Sequence, residues 1–331
     1  MVGFSGPRHG VLTRRAMGVL GAGLALPGLV QAQGTWPNRP IRFLVPWSAG
    51  GVLDGFLRLS FEHASQELGQ PSILENRAGA RGTLAASFLV SQGRADGYLL
   101  AHHHLSVLRH PLLTRARSWD PVDDFSYIMQ QSGFVFGLVV HASSPWRSMA
   151  DFWAAARAAP GRLNYATSGV ATTNHLAMEE LSARERVEME HIAFRGASDA
   201  LNALLGRQIH AIGGSNTWAP NVESGELRLL SVWTRQRLAA FPDVPTLMDL
   251  GYGMVVSAPY GVAAPRGLDP AILERLHGAL HRAQRSEAVQ AYMRRFDMPD
   301  EYLGPADYLA FLRERLIYER AMVARLGLSL D

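Results

Sequence analysis

Four groups of residues in this sequence have the types and spacing to do chemistry. His102, His103 and His104 are consecutive, Asp123-Asp124 and Glu179-Glu180 are adjacent acid pairs, and Ser168 precedes His175 by seven residues. The fourth is the loop Pro46-Trp47-Ser48-Ala49-Gly50-Gly51, with Asp54 just beyond it. A histidine run offers metal ligands, or hydrogen bonds whose charge changes near neutral pH. Paired carboxylates suit general acid–base catalysis, and a serine with a histidine suits nucleophilic attack. A glycine loop ahead of a helix is a cradle for an anion.

Each group also has a plainer reading. Consecutive residues of an extended chain alternate faces, so at most two of the three histidines share a cleft, and His175 or His210 would have to complete a metal set from elsewhere. The acid pairs fall on stretches that read as loop and helix surface, where solvated acids are the rule. No Gly-x-Ser-x-Gly elbow, HExxH or EF-hand spacing occurs, and Gly213-Gly214-Ser215 is only a glycine-serine turn. The expectation is a protein that is not an enzyme, with no metal and no cofactor.

Two absences narrow the chemistry further. The chain of 331 residues has no cysteine, which excludes a disulfide scaffold, thiol catalysis and cysteine-held metals. It also has no lysine, which excludes a Walker-type phosphate loop and Schiff-base chemistry. The loop at 46–51 therefore does not hold a nucleotide in that way.

The elements that must position these groups alternate. Apolar runs predict strands at 41–45, 72–75 and 98–101, with helices over 53–68 and 83–92, the second following the turn Gly79-Ala80-Arg81-Gly82. The alternation resumes with helices over 151–159, 174–182 and 197–205, and strands at 163–166, 188–192, 209–212 and 227–232. Two β-rich runs, 133–141 and 254–264, read as strands that cross between the two units, and 270–326 reads as helical and returns to the first unit. The expected architecture is α/β, a mostly parallel sheet with helices on both faces in each of two lobes, joined by two crossover hinge strands with a ligand cleft between them. Lobe 1 takes 33–138 and 258–331; lobe 2 takes 139–257.

The first 32 residues read as an export signal. Arg8, Arg14 and Arg15 precede an acid-free apolar run that ends near Val30-Gln31-Ala32, and Arg14-Arg15 resembles a twin-arginine motif, so the route is Sec or Tat. The expected location is periplasmic. The formal charge of +3 lies in this leader: of 32 basic residues, taking these three away leaves 29 against 29 acids. Such a balance gives no reason to expect nucleic acid or an anionic membrane surface as partner. No later segment reads as membrane-embedded, and a monomer is expected.

Eight segments carry a family resemblance: "WPNRPIRFLVPWSAGGVLD", "GQPSILENRAGARG", "ADGYLL", "WDPVDDF", "GRLNYATSG", "FRGASDALNALLGRQIHAI", "ESGELRLLSV" and "FPDVPTLMDLGY". Their order resembles that of the periplasmic receptors of tripartite tricarboxylate transporters, the Bug receptors. The resemblance implies a two-lobed solute-binding fold (type II, Venus-flytrap) that closes on a small organic acid, a di- or tricarboxylate, amino acid or aromatic acid. It implies membrane permease subunits as partners. A sensing receptor for a two-component system is the alternative role, and a periplasmic enzyme a distant one.

By match to the family, Trp47, Ser48, Ala49, Gly50, Gly51 and Asp54 form the first carboxylate loop. Gly79, Ala80, Arg81, Gly82 and Thr83 line the same lobe, with His102 and His103 after the third strand. Ser168, Gly169, Thr172, Thr173 and His175 face them from the second lobe, with Gly214, Ser215 and Asn216 as its other wall. Three positions depart from the usual pattern. Trp47 stands where phenylalanine is usual, as a stacking ring or a plain hydrophobic wall. Arg81 replaces a glycine, as a carboxylate clamp or a solvent-facing loop residue. The histidines replace small polar residues. Asp54 reads first as an organiser of its loop and second as a partner for a ligand amine or hydroxyl.

Overall fold

The apolar run Ile41–Val45 forms strand β1, and helix α1 (Val52–Leu68) follows it after the glycine loop. Phe56, Leu57, Phe61 and Ala64 recur at helical spacing along α1 and are fully or almost fully buried. Each large side chain so buried contributes about 1.5–3 kcal/mol. Gly69, at a φ of +73°, ends the helix in the left-handed conformation. The computed structural model describes residues 36–116 and 118–330. The export signal expected at 1–32 lies outside the described residues.

The first sheet holds β1, β2 (Ser72–Asn76), β3 (Leu99–His104), β4 (Phe125–Gly133) and β10 (Pro259–Pro265), in the order β2-β1-β3-β10-β4. The second holds β5 (Phe136–His141), β6 (Asn164–Thr167), β7 (Glu190–Ala193), β8 (Ala211–Ser215) and β9 (Leu227–Val232), in the order β7-β6-β8-β5-β9. In each sheet four of the five strands run the same way and one, β10 or β5, runs antiparallel to both its neighbours. That reversed strand enters each sheet directly from the other lobe, so each mostly parallel sheet is mixed by one strand.

Around the first sheet pack α1, α2 (Leu84–Gln92), α3 (Leu105–Leu113), α8 (Pro270–Arg285), α9 (Glu287–Arg295) and α10 (Pro305–Leu326). The second carries α4 (Met149–Ala158), α5 (Thr173–Glu185), α6 (Ala197–Leu205) and the short α7 (Ala219–Glu223). Each sheet has apolar cores on both faces, Phe43 and Phe56 in one and Leu89 and Tyr308 in another of lobe 1, for example. None of the described helices is long and apolar enough to cross a membrane.

The crossing differs in detail from the sequence reading. The run 133–141 is two strands, β4 ending at Gly133 and β5 starting at Phe136, so the break expected at 138 falls inside β5. Hydropathy did not show the change of sheet because both halves are buried. The returning chain meets the outgoing one here, with Phe134 N donating to Ala258 O at 3.0 Å.

Candidate functional site

Asp54, in the first turn of α1, ties down the loop between β1 and that helix. Its carboxylate accepts from Gly50 N (3.2 Å), Asn76 Nδ2 (2.8 Å) and two Arg58 nitrogens (2.9 and 3.2 Å). Asn76 Nδ2 also donates to the Trp47 carbonyl at 3.0 Å. Burial opposes the charge on Asp54, but the Arg58, Asn76 and Gly50 donors outweigh it and hold the carboxyl below its ordinary value.

Four α-helices begin at the gap between the lobes: α1 after Gly51, α3 after His104, α5 after Thr172 and α6 after Gly196. None of the four has a capping side chain at its N-cap residue, and in α1 Val52 N donates to Thr217 Oγ1 of the other lobe (3.4 Å). Helices α2, α7 and α10 likewise lack a capping side chain, while α4, α8 and α9 are capped by Ser148, Asp269 and Ser286. An uncapped start leaves N–H donors and a partial positive charge available to an anion. Two of the four already carry an acid in the first turn, Asp54 in α1 and Asp199 in α6, while α3 and α5 carry none.

These starts surround a cavity with an empty volume of ≈ 630 Å³, its mouth included. Its lining has two chemistries. Val45, Trp47, Leu53 and Leu105 from lobe 1, with Phe134, Phe136 and Ala258 at the crossing, are apolar. Ser48, Asp54, His104 and Ser106 from lobe 1 and Ser168, Thr172, Thr173, Asn174, Ser198, Ser215 and Thr217 from lobe 2 are polar. Among the described residues no arginine lines the cavity.

The lobes touch around it. Ser48 Oγ donates to Asp199 Oδ2 (2.7 Å), Val52 N to Thr217 Oγ1 (3.4 Å), and Asn216 Nδ2 to Phe296 O (2.6 Å). Arg109, 1% exposed, bonds Glu319 Oε2 from Nε (2.6 Å) and the Ala171 carbonyl of the other lobe from Nη1 (2.7 Å). This is a closed arrangement.

Of the residues expected at the site, Trp47, Ser48, Gly51, Asp54, Ser168, Thr172, Thr173 and Ser215 line the cavity. Ala49 and Gly50 are exposed on the loop. The turn Gly79–Thr83 lies behind the wall. Thr83 Oγ1 donates to Ala80 O, and Gly82, at a φ of +81°, lies against the Trp47 ring. Arg81 does not enter the cavity: its Nη2 meets His110 Nδ1 at 3.4 Å and its stem lies over Gly169 of the other lobe. A left-handed φ of 62° at Arg81 turns the side chain along the lobe boundary. Gly169 serves its own loop through a carbonyl that accepts from Thr172 Oγ1 (2.7 Å). Gly214 O accepts from Trp218 Nε1 (3.1 Å), and Asn216 is spent on Phe296.

The histidines separate by face. His103 packs among Phe125, Tyr127 and Tyr308, on the side of β3 away from the cavity, because side chains alternate along a strand. Burial pushes its pKa down to about 3. His102 is buried against Tyr260 and Phe134, behind the lining, and is held far below its usual value mainly by burial. His104, the third member of the run, is the one that lines the cavity, with its ring 5.0 Å from that of Trp47. Its Nε2 donates to the Gly82 carbonyl (3.2 Å), which places the proton there and leaves Nδ1 as an acceptor. Burial lowers its pKa to about 4, so the ring is neutral at physiological pH. His175 receives Ala171 N on Nδ1 (3.1 Å) and stacks on His191, so it is not a base for Ser168. Among the described residues no three metal-ligating side chains come together.

Sequence reasoning missed Phe134, Phe136, Asn174 and Ser198, while His104 belongs to the histidine run it weighed and Thr217 to the loop 213–218 read as a wall. The phenylalanines looked like strand core, and the hydroxyl residues belong to no motif. Two residues of the lining, Trp47 and Ser198, have a buried polar atom, Nε1 and Oγ, without a partner among the described residues, as do several residues elsewhere in the fold. Each such atom costs on the order of 1–3 kcal/mol, a cost usually tolerated where a site needs it. The geometry can grip an anion with amides and hydroxyls against an apolar wall. It assembles no nucleophile with a base.

Comparison with known proteins adds three findings. The family described as "Tripartite tricarboxylate transporter family receptor" matches residues 56–328. A Cupriavidus necator protein, "UPF0065 protein in gbd 5'region", is 42% identical over 305 residues, covering 92% of each chain. Among solved structures, an R. palustris protein with adipate superposes with a TM-score of 0.83 at 26% identity, covering 89% of this chain and 99% of that one. MatC from Rhodopseudomonas palustris, with bound malate, does so with a TM-score of 0.80 at 25% identity, covering 87% of this chain and all of that one. The fold is the two-lobed one of periplasmic binding proteins.

Proposed function

We propose, for a chain that belongs to the tripartite tricarboxylate transporter receptor family, that it captures a small organic carboxylate by closing its two lobes and presents it to membrane permease subunits. The family is one of periplasmic solute-binding receptors. One observation carries the reading: four helix starts without an N-cap side chain converge on one cavity between the lobes. In this reading the acid group sits between the acid-free starts of α3 and α5, taking hydrogen bonds from main-chain N–H groups and from the Thr173 hydroxyl. Trp47, Ser48, Gly51 and Ser215 close around it. Export by the leader, through Sec or Tat, delivers the protein to its place of work.

Closure works by population shift: a ligand that bridges the lobes binds the closed state and draws the equilibrium towards it. A few hydrogen bonds in a buried site give affinity on the order of micromolar. Thermal melting with a panel of mono-, di- and tricarboxylates, sugars and divalent metals tests this. At about 100 times the dissociation constant the stabilisation is about 2.7 kcal/mol, which is easily read. Stabilisation by a sugar or metal with none by any acid removes the proposal.

A further inference from the structure

We infer that the occupant is a monoanionic acid with a flat, apolar, ring-sized body, set apart from the two-acid ligands bound by the relatives above. This rests on the carboxylate reading and makes it narrower.

The first argument is charge. Of the four helix starts, only α3 and α5 are free of acid. At α1 the partial positive charge is already answered by Asp54, whose carboxylate is ionised and holds Gly50 N. At α6 it is answered by Asp199, which holds Ser48 of the opposite lobe at 2.7 Å. A second carboxylate at that end would meet Asp54, which lines the cavity. Among the described residues no cation lines the cavity to offset it: Arg58 is paired with Asp54, Arg109 with Glu319, and Arg81 points at His110. His104 is neutral. Burying an unpaired charge under these conditions is strongly unfavourable.

The second argument is shape. The lining includes Val45, Trp47, Leu53, Leu105, Phe134, Phe136 and Ala258, a large apolar share beside its hydroxyls. The Phe134 and Phe136 rings stack within 23° of parallel, with centroids 5.8 Å apart. A hydrocarbon ring packs well against such side chains, through area burial and aromatic contact. A second carboxylate against them would shed its water without replacement.

The test is isothermal titration of the purified protein with benzoate, phenylacetate, succinate and adipate, on the wild type, Phe134→Leu and Asp199→Asn. In the wild type the tighter aromatic acid should bind at least about tenfold more strongly than either diacid. Phe134→Leu should weaken it about fivefold or more and leave the diacids within about twofold. Asp199→Asn keeps the acceptor for Ser48 and removes the charge, so diacid affinity should rise about tenfold while the aromatic acids move much less. Unchanged melting of the unliganded variants shows that they are folded. Diacids tighter than both aromatic acids overturn this inference and leave the carboxylate reading standing. A sugar or metal binding where no acid binds removes both.

Discussion

Acid should destabilise this protein well before its carboxylates titrate. His102, His103 and His104 lie in a row on β3, between β1 and β10, and none is more than 4% exposed. His103 is held near 3 and His104 near 4, both mainly by burial, and His102 is lowered in the same direction. In the unfolded chain each would titrate near 6.5. Between the folded and unfolded values the unfolded chain binds protons that the fold refuses, so stability falls as pH falls through that window and is fully present above about 6.5. At pH 5 His103 and His104 each account for about 1.5 pKa units, or about 2 kcal/mol, so about 4 kcal/mol together, and His102 adds a loss of the same sign. That is a large part of a typical total of about 5–15 kcal/mol. Lowered carboxylates such as Asp54 and Glu75 add a loss of the same sign only below about pH 4.5.

Urea unfolding followed by circular dichroism at half-unit steps from pH 7.5 to 4.5 reads the slope directly. His102→Phe is the informative variant. The ring makes no hydrogen bond among the described residues and packs against Tyr260 and Phe134, so phenylalanine fits its surroundings. At pH 7 the variant should be within about 1 kcal/mol of wild type. At pH 5 it should be more stable than wild type, with a shallower loss of stability between pH 7.5 and 5. A wild-type stability that is flat from pH 7.5 to 5, or a variant with an unchanged slope, refutes the reasoning.

Three further outcomes follow from particular contacts. Arg109→Met should cost about 3–5 kcal/mol in urea unfolding, because Glu319, 0% exposed, keeps only Arg315; Arg109→Met with Glu319→Leu should recover most of that loss. Gly82→Ala should lower melting by about 2 kcal/mol or more and abolish ligand binding in calorimetry. Its φ is +81°, and the added carbon would fall 2.5 Å from the Trp47 ring and 2.8 Å from His104 Nε2. Asn216→Ala removes a lobe-to-lobe bond to Phe296 O, worth about 1 kcal/mol, so small-angle scattering of the unliganded protein should shift towards the open form by about fivefold in population.

Much of the scaffold was legible because apolar periodicity reports burial. β1, α1, α2, α6 and β9 were read from the sequence to within a residue or so. Strand β4 was not, since Gln130, Gln131 and Ser132 interrupt its apolar run. They are buried all the same, with Gln130 Nε2 and Ser132 Oγ donating to the carbonyls of Glu301 and Pro299. Helix α3 was hidden by Pro111 and by Arg109, whose burial depends on an acid 210 residues away. At the site, the loops were legible as turns ahead of helices. The inward faces were not, because the direction of Arg81 is set by its own backbone and that of His103 by strand register.

The repeated strand order has a further consequence. Both sheets run through the same sequence of parallel and reversed strands, so equivalent edges of two like frames look at each other across the gap. A frame so nearly duplicated would let a guest enter either way round. Here Asp54 gives α1 a negative residue that its counterpart α5 lacks, and the duplication becomes a polarised cup with one favoured orientation. Whatever rests in it then lies the same way round each time.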